Sequence, residues 1–307
     1  MIRIGIAGWD YPDWEGLVYP DPRPRGFDRL AYLSGFFDTL EINTTFYRTP
    51  DPRAAGSWAR RVAAAPSFRF TAKLYRYLTH EAPPDLEAPQ GRSALLEAAQ
   101  QYRQGIEPIR TAGRLGAVLM QFPHAFHDRP DHRRRLEILA DGLADLPLVA
   151  EFRHRSWDHE DALRFLSRLR VGFCNIDQPA IAGTLRPTGH VTSRIAYIRL
   201  HGRNAEAWFR SGGDAARRYD YLYTQQELAP WAERVLRLDD RAEEVFVIAN
   251  NHYRGKAPVN ALMLKAAVTR RRVPAPPALV AAFKELADSA VPVASRPLQG
   301  RLFGDGD

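Results

Sequence analysis

The sequence contains a single cysteine, Cys174, so no intramolecular disulfide can form. This cysteine ends the apolar run Val171–Cys174, which indicates a buried, unreactive thiol rather than a nucleophile. There is no CxxC pair and no Cys/His spacing of the kind that binds zinc. A chain of 307 residues is long enough to bury a full core without such cross-links.

Long hydrophobic runs are also absent. No apolar run approaches the ~20 residues that a membrane-spanning helix needs, and the first residues are too short a hydrophobic stretch for a secretory signal peptide. We therefore expect a cytoplasmic protein that does not associate with a membrane.

Lysine is scarce, with only Lys73, Lys256, Lys265 and Lys284, yet the net charge is +7 because arginine is abundant. A basic protein favours anionic partners, nucleic acid among them. A strong arginine bias in the genome would give the same composition, so the charge by itself does not decide the function.

Short apolar runs alternate with amphipathic stretches along most of the chain. These runs are continuous rather than alternating, which is typical of parallel strands covered on both faces. Eight β/α units in about 270 residues predict a single (β/α)8 TIM barrel. An open, doubly wound sheet is the alternative, but no GxGxxG motif follows the first strand. The predicted strands are Arg3–Trp9, Thr39–Thr44, Phe68–Lys73, Leu115–Gln121, Leu148–Phe152, Val171–Ile176, Ile195–Leu200 and Val245–Ala249.

Helices are predicted between the strands, and the composition changes near the end of the chain. The barrel domain is expected over residues 1–288, closing with a helix at Ala275–Ala287. Residues 289–307 are small, polar and rich in glycine, and we expect a disordered tail there. The main helical stretches are Arg53–Ala65, Ser93–Ile109, Arg133–Leu143, His159–Leu169 and Gln225–Leu238.

Polar residues occupy the ends of the predicted strands. Glu41 and Asn43 lie two residues apart and therefore on one side of their strand, and Glu151 and Arg153 repeat this spacing. Polar groups in an apolar strand are costly to bury unless they pair. In a TIM barrel the carboxyl ends of the strands carry the active site, so the sequence predicts one polar pocket there. The alternative is a salt-bridged plug, in which Glu41 and Glu151 neutralise Lys73, Arg153 and Arg199.

These strand-end residues also carry a resemblance to a known family. The chain resembles the domain-of-unknown-function 72 family, also called YecE-like, from about Ile4 to Ala267. The resemblance implies a TIM barrel with a strand-end pocket, but no reaction, because the family has no accepted one. The matching segments are Gly8-Trp9, Glu41–Arg48, Phe70–Lys73, Gln121-Phe122-Pro123, Glu151–Trp157, Tyr197–Arg203 and Asn250-Asn251-His252.

The residue types of the pocket indicate three roles. Carboxylates and imidazoles act as acids and bases, cations and amides bind anions, and a carboxylate–imidazole set can hold a divalent metal. The predicted catalytic residues are Glu41, His80, Glu151 and His201. The predicted substrate- or anion-binding residues are Trp9, Asn43, Tyr47, Lys73, Gln121, Arg153, Arg199 and Asn251. The predicted metal ligands are Glu151, Asp177 and His201.

A separate motif lies in the tail. Gln299, Leu302 and Phe303 resemble the pentapeptide by which bacterial DNA-maintenance proteins bind the replication sliding clamp. A disordered strand can present two apolar anchors and one amide to a preformed pocket. The alternative is that Leu302 and Phe303 fold back onto the barrel.

Three functional hypotheses follow from these features. The first is a nucleic-acid-processing enzyme with metal-assisted phosphodiester chemistry, a nuclease-like hydrolase. The second is a hydrolase, lyase or isomerase that acts on a phosphorylated or carboxylated metabolite. The third is a non-catalytic adaptor for nucleic acid or the clamp. Barrels host many chemistries, so the fold does not choose among them.

Overall fold

The computed structural model describes residues 1–81, 85–205 and 219–294. Within these ranges, eight parallel strands form a closed barrel, and β8 pairs with β1 so that this sheet has no edge. The predicted TIM barrel is confirmed, and each predicted strand overlaps an observed one. The strands are β1 (Ile2–Ala7), β2 (Thr39–Ile42), β3 (Arg69–Lys73), β4 (Leu115–Gln121), β5 (Leu148–Glu151), β6 (Gly172–Asp177), β7 (Ile195–Leu200) and β8 (Glu244–Ala249).

Helices cover the outside of the barrel, and some of them begin at a side-chain cap. Asp51 accepts a hydrogen bond from the Arg53 amide, and Thr224 and Glu227 form a reciprocal capping box. No described helix has the length and apolar character needed to cross a membrane. Within the described ranges, the helices are Arg29–Leu33, Thr44–Tyr47, Pro52–Arg61, Arg76–Thr79, Pro89–Thr111, Pro130–Gly142, Glu160–Arg168, Gln225–Asp239, Lys256–Thr269 and Pro277–Ala282, with 3-10 turns at Pro12–Trp14, Arg155–Trp157, Tyr253–Gly255 and Lys284–Leu286.

The C-terminal region differs from the prediction. The expected helix Ala275–Ala287 is interrupted at Phe283, whose extended backbone (φ −122°, ψ 104°) ends the helix after Ala282. Strand Ala290–Pro292 then pairs in parallel with strand Val273–Ala275. The expected disorder from Ser289 is therefore wrong for residues 289–294, because backbone pairing holds this segment against the fold.

The barrel interior changes from apolar to polar along its axis. Near the amino ends of the strands, a Cβ at Gly116 would lie 2.3 Å from Cζ of Phe246, so glycine makes room for this ring. Tyr197 stacks against Phe246, with ring centroids 6.1 Å apart. Towards the carboxyl end of β7, Arg199 and His201 follow Tyr197 at two-residue spacing and face the same interior. An aromatic floor therefore supports the polar strand-end site.

Candidate functional site

Arg199 is the centre of the site. Its Nη1 donates to Glu151 Oε2 at 2.5 Å, and its Nη2 donates to Glu41 Oε1 at 2.7 Å. All three side chains are completely buried. Because Glu41 lies on β2, Glu151 on β5 and Arg199 on β7, one guanidinium links three separate strands.

Glu151 accepts contacts from several further donors. Arg153 Nη2 lies 2.6 Å from its Oε1, Gln121 Nε2 donates to the same oxygen at 3.0 Å, and His201 Nε2 lies 3.2 Å from it. Burial alone would raise the pKa of Glu151, but the charges of Arg153 and Arg199 hold the pKa well below its usual range. Glu151 is thus an ionised anchor at neutral pH.

Glu41 has a second set of partners that sequence reasoning missed. The Tyr197 hydroxyl donates to Glu41 Oε2 at 3.0 Å and lies 2.8 Å from Thr71 Oγ1. Tyr197 precedes Arg199 by two residues, and Thr71 precedes Lys73 by two. Counting back by two residues from Lys73 and from Arg199 along their strands would have found both residues.

Lys73 reaches the same pocket from β3. Its carbonyl accepts hydrogen bonds from Thr45 Oγ1 at 2.7 Å and from the Tyr102 hydroxyl at 3.0 Å, which fix the strand end. Its Nζ lies 4.0 Å from Glu41 Oε1 and makes no hydrogen bond to the part of the chain that the structure describes. Burial and the nearby charge of Arg199 lower the pKa of Lys73 to about 8.

His201 is fully buried beside Glu151. Asn250 Nδ2 lies 3.1 Å from His201 Nδ1, and His201 Nε2 lies 3.2 Å from Glu151 Oε1. An amide nitrogen beside Nδ1 and a carboxylate beside Nε2 favour the tautomer with the ring proton on Nε2. Burial and the charge of Arg153 lower the pKa of His201 to about 3, and the imidazole is therefore neutral at pH 7. Asn250, which fixes this tautomer, was not among the predicted site residues.

The predicted metal ligands do not come together. Cys174 faces the interior, with Sγ 4.0 Å from Glu151 Oε2, so Asp177, an odd number of residues later, lies on the opposite face of β6. There Asp177 accepts from Arg203 at 2.7 Å and from Trp231 Nε1 at 2.5 Å. Among the described residues, no group of three or more His, Cys, Asp or Glu side chains is arranged to hold a metal.

The remaining predicted residues are divided between the rim and the barrel wall. Asn251 is completely buried and donates to the Tyr221 carbonyl, so it holds a loop rather than facing the pocket. Tyr47 is 69% exposed at the rim. His80 contacts Phe46 at the rim, with ring centroids 4.9 Å apart, and burial with the charge of Arg76 lowers the pKa of His80 to about 4.

Trp9 and Asn43 line a cleft of about 710 Å³ beside the ends of β1 and β2. Trp9 packs edge-on against Trp58, with ring centroids 5.8 Å apart, and Asn43 Nδ2 lies 3.4 Å from the Tyr11 hydroxyl. Asn43 follows the end of β2, the strand that carries Glu41, so the cleft lies beside the charged centre without including its residues. The structure thus brings together Glu41, Lys73, Gln121, Glu151, Arg153, Arg199 and His201, with Trp9 and Asn43 beside them.

The family model described as protein of unknown function DUF72 matches residues 3–281. The chain belongs to the DUF72 family. This assignment confirms the resemblance seen in the strand-end motifs. It carries no reaction, since the family is described as one of unknown function.

Relatives and solved structures agree with the DUF72 assignment. The chain is 28% identical to the UPF0759 protein YunF of Bacillus subtilis over 269 residues, which cover 85% of this chain and 92% of YunF. It is 32% identical to YecE of Escherichia coli K12 over 82 residues, 27% of this chain and 26% of YecE.

Two solved DUF72 proteins share the fold. A protein from Thermotoga maritima has a TM-score of 0.73 at 31% identity, over 88% of this chain and 99% of that one. A protein from Enterococcus faecalis has a TM-score of 0.75 at 26% identity, over 88% and 96% of the two chains. The barrel of this chain is therefore the family's fold.

Proposed function

We propose that this protein is an enzyme that acts on a small anionic metabolite, whose phosphate or carboxylate group binds at the mouth of the barrel. The observation that carries the proposal is the sharing of two carboxylates among three cations. Arg199 binds Glu41 and Glu151 at hydrogen-bond distance, whereas the Lys73 ammonium comes no closer than 4.0 Å to Glu41.

The charge count of the described interior supports an anion. Lys73, Arg153 and Arg199 contribute three positive charges and Glu41 and Glu151 two negative ones, while His201 is neutral. One positive charge is left over in a water-poor site, where unbalanced charge is costly. Lys73 and Arg153 are 13% and 12% exposed, while Arg199 is not exposed at all. The two cations that a ligand can reach are therefore those at the mouth.

Lys73 is also the group best suited to transfer a proton. General acid–base catalysis favours a pKa near the working pH, and the pKa of Lys73 is about 8. The low pKa values of His80 and His201 keep these imidazoles neutral, and Glu151 is held as a carboxylate by its donors. We infer an isomerase or lyase reaction that includes proton transfer next to a carbonyl or carboxylate.

Isothermal titration with inorganic phosphate and with small carboxylates tests this proposal. We expect saturable binding to the wild-type protein, at least tenfold weaker binding to Lys73→Met, and unchanged binding to Lys284→Met. Lys284 is an exposed lysine far along the chain, which makes it a matched control. Equal binding to all three proteins would remove the support for an anion site at Lys73.

Nucleic-acid processing is the second proposal, and two sequence features support it. These are the net charge of +7 and the clamp-like motif of the tail. Its metal-assisted form loses support because Asp177 faces away from Glu151 and His201. DNA binding that weakens steeply with salt would favour this second function, because phosphate contacts release counterions. Binding to phosphate without any binding to DNA would favour the first.

A further inference from the structure

We propose that Lys73 is a nucleophile that forms an imine with the carbonyl carbon of an anionic aldehyde or ketone, such as a 2-oxo acid or a phosphorylated aldehyde. This inference rests on the proposed function and names its substrate class. It starts from the contrast between Lys73 and the other lysines of the chain.

Two of these lysines are held in close ion pairs. Lys265 Nζ donates to Asp38 Oδ1 at 2.9 Å and to the Phe36 carbonyl at 3.1 Å. Lys256 forms an ion pair with Asp220. Each of these amines is therefore held in a close contact with a carboxylate and is not directed towards the barrel interior.

Lys73 has weaker charge partners. Its Nζ lies 4.0 Å from Glu41 Oε1 and 5.6 Å from the centroid of the Phe46 ring, and it has no hydrogen-bond acceptor within the described ranges. Burial is the main cause that disfavours the ammonium form and lowers the pKa of Lys73. The guanidinium groups of Arg199 and Arg153 also oppose a further positive charge, whereas Glu41 and Glu151 favour it. A desolvated lysine beside other cations is the arrangement that releases a free amine for covalent catalysis.

The backbone around Lys73 is fixed, which suits a covalent step. Thr45 and Tyr102 both donate to its carbonyl, so the side chain starts from a fixed point at the end of β3. Arg153 lies across the pocket on the β5 side and carries a second accessible cation. A bifunctional substrate can thus place its anionic group on Arg153 and its carbonyl carbon at Lys73.

The step balances without an oxidant or a reductant. The neutral amine adds to the carbonyl carbon, and the carbonyl oxygen takes up the proton that the amine loses, giving a carbinolamine. Loss of water gives the imine, and a proton from solvent converts the imine to the iminium. The iminium carries the charge that the ammonium had, so Glu41 faces the same charge before and after the step. The iminium then withdraws electrons from the neighbouring carbon.

Reductive trapping tests this inference. The full-length protein is incubated with pyruvate, or with a phosphorylated aldehyde, in the presence of sodium cyanoborohydride, which reduces an iminium to a stable secondary amine. Peptide mass spectrometry then locates the adduct, which is simple because the chain has four lysines. We expect at least tenfold more adduct on Lys73 than on exposed Lys284, and faster labelling as the pH rises towards 8.

Two variants keep the outcome interpretable. Lys73→Arg retains a cation and should still bind phosphate but give no adduct, whereas Lys284→Met should label Lys73 like the wild type. Equal labelling of Lys73 and Lys284 in a protein that binds phosphate would overturn this inference and leave the anion site in place. Absence of both the adduct and phosphate binding in correctly folded wild-type protein would overturn both proposals.

Discussion

Arg199 Nη1 lies 2.5 Å from Glu151 Oε2 in the centre of the barrel, and neither side chain is exposed to solvent. The same guanidinium binds Glu41, so three strands depend on one buried cation. A buried ion pair gains little over apolar packing, but removal of one partner leaves an uncompensated charge. Substitution of any member of this central triad (Glu41, Glu151 and Arg199) should therefore destabilise the fold, whatever the reaction.

The first prediction concerns Glu151. Glu151→Gln removes the charge that balances Arg153 and Arg199, and we expect the free energy of unfolding to fall by about 3–5 kcal/mol. Denaturant titration followed by circular dichroism measures the change. The matched control is Glu160→Gln, because Glu160 pairs with Arg164 on the surface and is 84% exposed; its effect should stay within about 0.5 kcal/mol. Equal losses of stability in the two variants would show that burial of the triad does not increase the cost of losing a charge.

The second prediction concerns the protonation of His201. The pKa of His201 is about 3 in the folded protein, against about 6.5 in an unfolded chain. The unfolded chain then binds more protons below pH 6.5, so this residue lowers stability progressively as the pH falls from about 6.5 towards 3. Nitrogen NMR should show a neutral ring with the proton on Nε2 from pH 8 to pH 5. Titration of this ring near pH 6.5 would contradict the assignment.

A matched variant separates this effect from other acid-sensitive groups. His201→Gln has no ring to protonate, so the drop in melting temperature between pH 7 and pH 5 should be smaller than in the wild type. An identical drop in both proteins would assign the acid sensitivity to other residues.

The third prediction concerns Asp177. Because Asp177 accepts from Arg203 and Trp231 outside the barrel interior, Asp177→Asn should cost about 1–3 kcal/mol of stability. Phosphate binding, measured by calorimetry, should not change. Loss of a bound divalent metal from the variant, with stability unchanged, would instead favour the role expected from sequence.

The fourth prediction concerns the clamp-like motif near the C-terminus, which lies outside the described residues. If Gln299, Leu302 and Phe303 bind the sliding clamp, the double change Leu302→Ala and Phe303→Ala should abolish clamp binding in surface plasmon resonance. Ordering a short segment costs entropy, so the affinity of the wild type should be modest. The melting temperature should be unchanged. A stability loss of ~2 kcal/mol or more would mean that both side chains pack on the barrel.

Much of this architecture could be predicted from the sequence, because apolar parallel strands and polar strand ends are local patterns. The side chains of the charged centre converge because they occupy the inward-facing, alternate positions at the ends of their strands. These residues are Glu41, Glu151, Arg199 and His201. The position of Asp177 at the end of β6 predicts a place in the interior, but Asp177 lies three residues after the inward-facing Cys174 and therefore faces outward. Strand Ala290–Pro292 could not be predicted, since its pairing with Val273–Ala275 depends on a distant segment and not on local composition.

Lys73 shows a different limit of prediction from the sequence. The sequence places it at a strand end, but its distance from Glu41 depends on how Arg199 divides its two hydrogen bonds between the glutamates. Such sharing among residues of four strands has no sequence signature. Only the structure shows that Arg199 makes the close contacts to both glutamates, while the Lys73 ammonium lies 4.0 Å from Glu41.

A high-resolution crystal structure of the wild-type protein soaked in sulfate or phosphate tests the anion site most directly. Our account predicts an ion within hydrogen-bond distance of Lys73 Nζ and of the Arg153 guanidinium, with the Arg199 contacts to Glu41 and Glu151 unchanged. An empty pocket, with Lys73 Nζ moved into a close ion pair with Glu41, would contradict the account and show that the charged centre is a structural plug.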